Sequence, residues 1–315
     1  MGQQVNSELV AARADKLFFY SPYNFLRYLD VGRQQELFGT GLAQQYTAEP
    51  NHQVFEFQSG NDVVQFLYTF LPWDTAFFEA KVYKVFTILF TDQTPASVLE
   101  AASIAFRAEL AHQQVQYCFV ELPVEDTRVA QALGSVGWRL VETRLNFYHD
   151  AVDKFEQHRY PVRLANITEA EHIGAISSAA RNDYDRFHAD SWFGHEKADA
   201  FLRRYATAAV QGYCDAVLVP AEPELPVDSF LAITDSPVYA FNSAFRSSRI
   251  TLTAVGPSNR GWHIKLVAET IQRARTMEAN CVLMTTQATN RAVFRTCEKL
   301  GFKLGSTNCI LAYAF

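Results

Sequence analysis

The chain has 315 residues, 49% of them hydrophobic, which supplies a sizeable core and excludes a disordered or fibrous polypeptide. Its formal net charge is −6 and its Lys and Arg residues never run beyond a pair, so the basic footprint that a nucleic-acid backbone requires is missing. The cysteines (Cys118, Cys214, Cys281, Cys297, Cys309) are scattered with no CxxC spacing, which argues against a disulfide framework or a thiolate zinc site. Met1–Ser7 lacks the apolar core of a signal peptide and fits the myristoylation pattern only loosely, with Asn6 at the Ser/Thr position. No apolar stretch reaches ~18 residues, so the expectation is a soluble cytoplasmic protein without a membrane span.

In chain order, residues 8–45 read as one or two helices with apolar positions such as Leu17, Phe18, Leu26 and Leu29. Strands follow at 53–57 and 63–70. After the segment 71–78, in which Trp73 reads as core and Asp74 as a cap, a strand spans 82–90. A helix is expected at about 94–112 with Pro95 near its start, then a strand at 116–122. A helix at 125–136 closes on Gly137, and a strand covers 138–147. The polar segment 151–160 reads as a linker. Beyond it come a short strand entering a helix capped by Thr168 and Glu171, a helix at 196–210, and strands at 216–219 and 230–234. The last quarter carries the strand Ile250–Val255, the turn Gly256–Gly261, a long amphipathic helix, the strand 281–286, Asn290, and a helix ending at Leu300-Gly301-Phe302.

Alternating strands and helices predict an α/β protein. The pattern strand, helix, Val-Gly-Trp, strand at 116–147 recurs as strand, helix, Leu-Gly-Phe, strand at 280–313, which points to internal duplication. A strand opening through a turn onto a helix start offers free backbone N–H groups and a positive dipole end, the general means of holding a pyrophosphate.

These residues resemble the GNAT superfamily of acetyl-CoA-dependent N-acyltransferases. The likeness is carried by Arg260-Gly261-Trp262-His263-Ile264-Lys265, Asn290, and Cys297-Glu-Lys-Leu-Gly-Phe302, and it covers about 160–315. The segments 71–78, 186–190 and 286–290 look like the TDP-fucosamine acetyltransferase branch, whose N-terminal half is an incomplete GNAT-like domain. The resemblance implies a GNAT-like mixed sheet flanked by helices with a partial GNAT-like α/β half before it. The implied domains are a helical arm at 1–50, the partial half at 51–150 and the acetyltransferase domain at 161–315. It implies acetyl-CoA as acyl donor, held by Thr253, Ala254, Val255, Arg260, Gly261, Trp262, His263, Ile264, Lys265 and Asn290. His263 and Lys265 stand where the family has small residues, and either block the phosphates or add contacts to them. Cys297 stands where the family has the tyrosine that protonates the departing thiolate; it is either the acid or a buried filler.

The expected acceptor is a small amine, with a nucleotide-linked amino sugar as the narrower reading. Arg186, His188 and Asp190, in a polar-aromatic loop, are its expected contacts, Arg186 for a phosphate. Trp73 and Asp74 have an alternative place beside the acceptor pocket. No metal motif and no hydrolase motif accompanies them. Partners are expected to be the small molecules alone, with neither nucleic acid nor membrane, and a homodimer is compatible with the sequence. Two alternatives stand beside the enzyme for amino sugars. One is a GNAT-like binding protein with impaired chemistry; the other is a GNAT enzyme for an amino acid or protein amine.

Overall fold

The computed structural model describes residues 4–236 and 245–315. Its strands are β1 (His52–Ser59), β2 (Asp62–Phe70), β3 (Val82–Leu89), β4 (Tyr117–Pro123), β5 (Arg139–His149), β6 (Val162–Leu164), β7 (Ala216–Pro220), β8 (Ser229–Ser236), β9 (Ser247–Val255), β10 (Cys281–Gln287) and β11 (Lys303–Ala314). The chain forms two compact units, Met1–Thr143 with Ser306–Phe315, and Arg144–Gly305.

In the first unit β1, β2 and β3 are antiparallel neighbours, β3 and β4 run parallel, and β11 adds antiparallel to β4. The helices Ala96–His112 and Thr127–Ser135 bury Leu99, Phe106, Leu110, Val129 and Leu133 against this sheet. Residues 7–48 form not one or two helices but four short ones with two 3₁₀ turns between and after them. Trp73, expected in the core, is 44% exposed and stacks on Phe77, because Pro72 starts a helix there and turns the indole outward.

In the second unit β6, β7, β8 and β9 are antiparallel in that order, β9 and β10 run parallel, and β5 closes antiparallel on β10. Successive strand residues face opposite sides of a sheet. Accordingly Leu218, Leu231 and Ile233 pack on the helix Trp262–Thr276, while Val217, Val219, Phe230 and Ala232 pack on the helices Ala170–Ala179 and His195–Ala208. Both sheet faces are covered, which is why β7 and β8 read as nearly continuous apolar runs. The segment 151–160 is no linker: Val152 and Phe155 are buried in this core. Arg159 and the Tyr160 N–H also satisfy the buried Glu269 carboxylate, at 2.9 and 2.7 Å. The capping box at the start of the Ala170 helix region is Asn166 with Glu169, two residues earlier than Thr168 with Glu171.

The two units repeat one motif. The parallel ladder holds Val82–Val85 against Tyr117–Val120 in the first, and Ser247–Ile250 against Cys281–Met284 in the second, and stops there. The next residue of each leading strand is a bulge. Phe86 is skipped between the pairs Tyr68↔Val85 and Leu67↔Thr87, and Thr251 between Ile233↔Ile250 and Ala232↔Leu252. A bulge bends its strand and increases the twist, so the parallel neighbours part beyond it. After the second strand each unit has a helix closed by a left-handed glycine, Gly137 at φ 93° and Gly301 at φ 77°. Among the described residues no helix is long and apolar enough to cross a membrane.

Candidate functional site

The gap between β9 and β10 opens a cavity of about 740 Å³ in the second unit. One wall is Ile250–Val255 and the other is Met284–Gln287 with Thr289–Val293. Both walls carry backbone groups that the parallel ladder no longer pairs with each other. The turn that leads out of β9 is pinned by its neighbours. Gly256 N–H donates to the Asp228 carbonyl at 2.6 Å, Ser258 N–H to its carboxylate at 2.8 Å, and the Asp228 N–H to Asn259 at 3.0 Å. A Cβ on Gly256 would lie 2.1 Å from Asp228 Oδ1, so any larger residue would push the Asp228 carboxylate off the Ser258 N–H. Gly261, left-handed at φ 84°, hands the chain to the helix Trp262–Thr276, whose start no side chain caps. An uncapped helix start presents free N–H groups and the positive end of the dipole.

Of the residues expected at the donor, Thr253, Ala254, Val255, His263 and Asn290 line the cavity. Arg260, Gly261, Trp262, Ile264 and Lys265 do not. Trp262 is buried in the core and Ile264 packs against it, and Arg260 and Gly261 are exposed. Lys265 lies two residues beyond His263, about 200° around the helix. It turns away from the cavity, pairs with Glu222 at 3.1 Å and sits over the Trp262 ring at 4.3 Å.

His263 is held at the cavity wall by the neighbouring helix. Its Nδ1 lies 3.0 Å from Thr296 Oγ1 on the neighbouring helix Arg291–Lys299, and its Nε2 is buried with no hydrogen-bond partner. Burial pushes its pKa down to about 4, so the imidazole is neutral at physiological pH and adds no charge to a phosphate contact. Thr296 gives its own proton to the Ala292 carbonyl at 3.2 Å. Nδ1 therefore carries the imidazole proton, and Nε2 presents a lone pair.

Asn290 caps the Arg291 helix through Val293 N–H at 3.2 Å and lines the cavity. Cys297 does not face the same way. It is 0% exposed within the apolar core, and burial pushes its thiol up to about 12. A cap residue sits outside the helical register, so the seven-residue spacing does not align the two side chains.

Of the expected acceptor contacts only Arg186 lines the cavity. His188 sits inside the loop as a tie: Nδ1 meets Asp185 at 2.8 Å and Nε2 meets Asp199 at 3.0 Å. Asp190 is buried and accepts from Trp192 N–H. Asp199 is held below its usual range, first by the Arg181 guanidinium and then by His188. These ties fix the loop 180–187 at the cavity, and Asn182 anchors it to Gln287 of β10 at 2.6 Å. The lining contains Arg144, Arg186 and Arg291, together with Arg181 paired to Asp199, against one lining carboxylate, Asp185, in a chain that is acidic as a whole. Such a lining favours an anionic ligand. Arg144 and Arg181 escaped sequence reasoning: Arg144 lies before the expected domain start, and Arg181 just before the polar-aromatic loop that begins at Asn182. Among the described residues no cluster of His, Cys, Asp and Glu could hold a metal ion.

No protein-family model matches this chain, and no curated protein matches it. Among solved structures it superposes on a GCN5-related glucosamine N-acetyltransferase region of a fungal multi-domain β-N-acetylglucosaminidase, with TM-score 0.55 and 12% identity over 96% of this chain and 37% of that one. It superposes on a GCN5-related N-acetyltransferase from Sphaerobacter thermophilus with TM-score 0.53 and 10% identity, covering 100% of this chain and 95% of that one. A functionally unknown conserved protein from Staphylococcus epidermidis gives TM-score 0.51 and 8% identity over 83% and 94%. At such identities the likeness is one of fold: the chain has the GNAT-like α/β fold, a mixed sheet flanked by helices.

Proposed function

We propose that this protein is an acetyl-CoA-dependent N-acetyltransferase that passes the acetyl group directly to a small amine. The observation that carries the reading is the gap between β9 and β10, with the uncapped start of the Trp262 helix at the end of the pinned Gly256–Gly261 turn. Thr253–Val255, His263 and Asn290 would hold the donor, and unpaired backbone N–H groups beside Thr251–Val255 would polarise its thioester carbonyl. The neutral amine nitrogen bonds to the carbonyl carbon, whose π electrons move to oxygen. Collapse restores the carbonyl and breaks the C–S bond, the thiolate leaves, and the amine proton passes to water. Cys297 is too deeply buried to serve as the acid for that thiolate. The arginine-rich lining supports an acceptor that carries phosphate or carboxylate, a nucleotide-linked amino sugar among them.

Titration calorimetry with acetyl-CoA tests the donor site, and absence of binding at high micromolar concentration sinks the reading. Release of CoA thiol in the presence of amino sugars, sugar nucleotides and amino acids then tests the transfer. The burial of Cys297 favours a second reading, binding without chemistry, which predicts acetyl-CoA binding and no thiol release with any amine.

A further inference from the structure

The first unit repeats the parted-strand motif, yet its gap is filled from within. Register equates Thr87 with Leu252, Leu89 with Ala254, and Asp126 with Asn290, since each pair lies equally far beyond the ladder ends Val85/Ile250 or Val120/Met284. Leu252, Ala254 and Asn290 all line the cavity of the second unit. Their counterparts are all covered by the N-terminal arm. Tyr20 Oη donates to Asp126 Oδ2 at 2.7 Å and accepts from Thr87 Oγ1 at 3.0 Å, so one phenol bridges both walls of the gap. Arg13 pairs with Asp126 at 2.5 Å, both side chains being buried, and lies over the Phe90 ring at 4.3 Å. Leu89 is 0% exposed in a cluster with Leu9, Val10 and Leu17. The bulge residue Phe86 is packed by the rings of Tyr20 and Tyr46, at 5.4 and 5.5 Å.

We propose that the arm formed by residues 9–46 is the built-in occupant of the first unit's cofactor-type gap, so that the chain takes one acetyl-CoA, in the second unit. The proposal rests on the donor site of the proposed function for its ligand, and on the internal repeat for its geometry. The chemistry of the gap agrees with a resident protein segment. Where the second unit has the neutral Asn290, the first has Asp126, a carboxylate that would repel a pyrophosphate and is instead paired by Arg13. Lys16 Nζ further ties the arm to the Glu125 carbonyl at 3.0 Å, beside the start of the helix Thr127–Ser135. The arm thus occupies the place on both walls that a ligand has free in the other unit.

Two measurements on the full chain test this. Calorimetry with acetyl-CoA is expected to give one equivalent, and a second equivalent overturns the proposal. Thiol labelling compares Leu252→Cys with Thr87→Cys, each read as the rate added to that of the native cysteines. In the ligand-free protein Leu252→Cys is expected to label at least about tenfold faster than Thr87→Cys, because the latter must wait for local opening. Adding Tyr20→Ala to Thr87→Cys removes the bridging phenol and is expected to close most of that difference, and Tyr20→Phe keeps the ring as a control for folding. Equal labelling of Leu252→Cys and Thr87→Cys overturns the proposal. Should acetyl-CoA fail to bind at all, the proposed function falls, while the labelling contrast still decides whether the arm fills the gap.

Discussion

Replacing His263 with Gln should make the protein less sensitive to mild acid, and the size of the effect follows from the burial of one imidazole. In the folded protein the His263 pKa lies at about 4 against an ordinary 6.5, with burial as the cause. The folded state therefore binds fewer protons than the unfolded state between these values, and stability rises with pH across that window. The neutral ring costs nothing above pH 6.5, and the penalty grows as pH falls toward 4. The full difference, about 2.5 pKa units at ~1.4 kcal/mol each, is on the order of 3 kcal/mol. At about pH 5 the linkage relation gives roughly 2 kcal/mol, and at about pH 7.5 nearly none. Urea unfolding of wild type and His263→Gln at these two pH values gives a double difference in which other titrating groups, such as His149, cancel. Wild type should lose about 2 kcal/mol more than the variant on going from the higher to the lower pH. Equal losses would refute the placement of His263 as a buried neutral imidazole.

Three further outcomes are expected. Arg13→Ala leaves the buried Asp126 carboxylate without its cation and should destabilise by about 3–5 kcal/mol in urea unfolding, whereas the paired Arg13→Leu, Asp126→Leu exchange should recover much of that loss. Gly256→Ala puts a methyl against the Asp228 carboxylate and should weaken acetyl-CoA binding in calorimetry; unchanged affinity would refute the role given to this turn. Cys297→Ala should leave the pH profile of acetyl transfer between about pH 6 and 9 unchanged, since a thiol at about 12 stays protonated throughout; a lost or shifted limb would return Cys297 to the chemistry.

Much of the architecture is legible in residue order because its signals are local. The apolar runs at 216–219, 230–234 and 281–286 mark strands covered on both faces, and Gly137 and Gly301 mark helix ends whose left-handed backbone only glycine takes freely. The capping box lies two residues before the expected one, and in the expected linker at 151–160 Val152 and Phe155 are core. In both cases the deciding contact is long-range or sits on a neighbouring 3₁₀ turn, as with Arg159 reaching Glu269.

The site was legible in outline and not in its side-chain roles. The strand Ile250–Val255, the turn after it and the helix start were legible as elements, and five of the expected donor residues (Thr253, Ala254, Val255, His263 and Asn290) line the cavity while the turn residues do not. The sequence did not show that Lys265 turns away to Glu222 or that His188 ties a loop between two carboxylates. Nor did it show that Cys297 packs inside the core. Those outcomes depend on which face of each helix meets which neighbour.

The residue order by itself determined an acidic α/β chain with a repeated strand–helix unit and a strand–turn–helix segment in its last quarter. Only the tertiary structure decided that one copy of the repeat is open and the other filled. A bulge at Phe86 and another at Thr251 part the strands alike, but the contents of each gap are set by chain segments far away in sequence. Arg13 and Tyr20 reach Asp126 across more than a hundred residues, and no local pattern encodes so distant a contact.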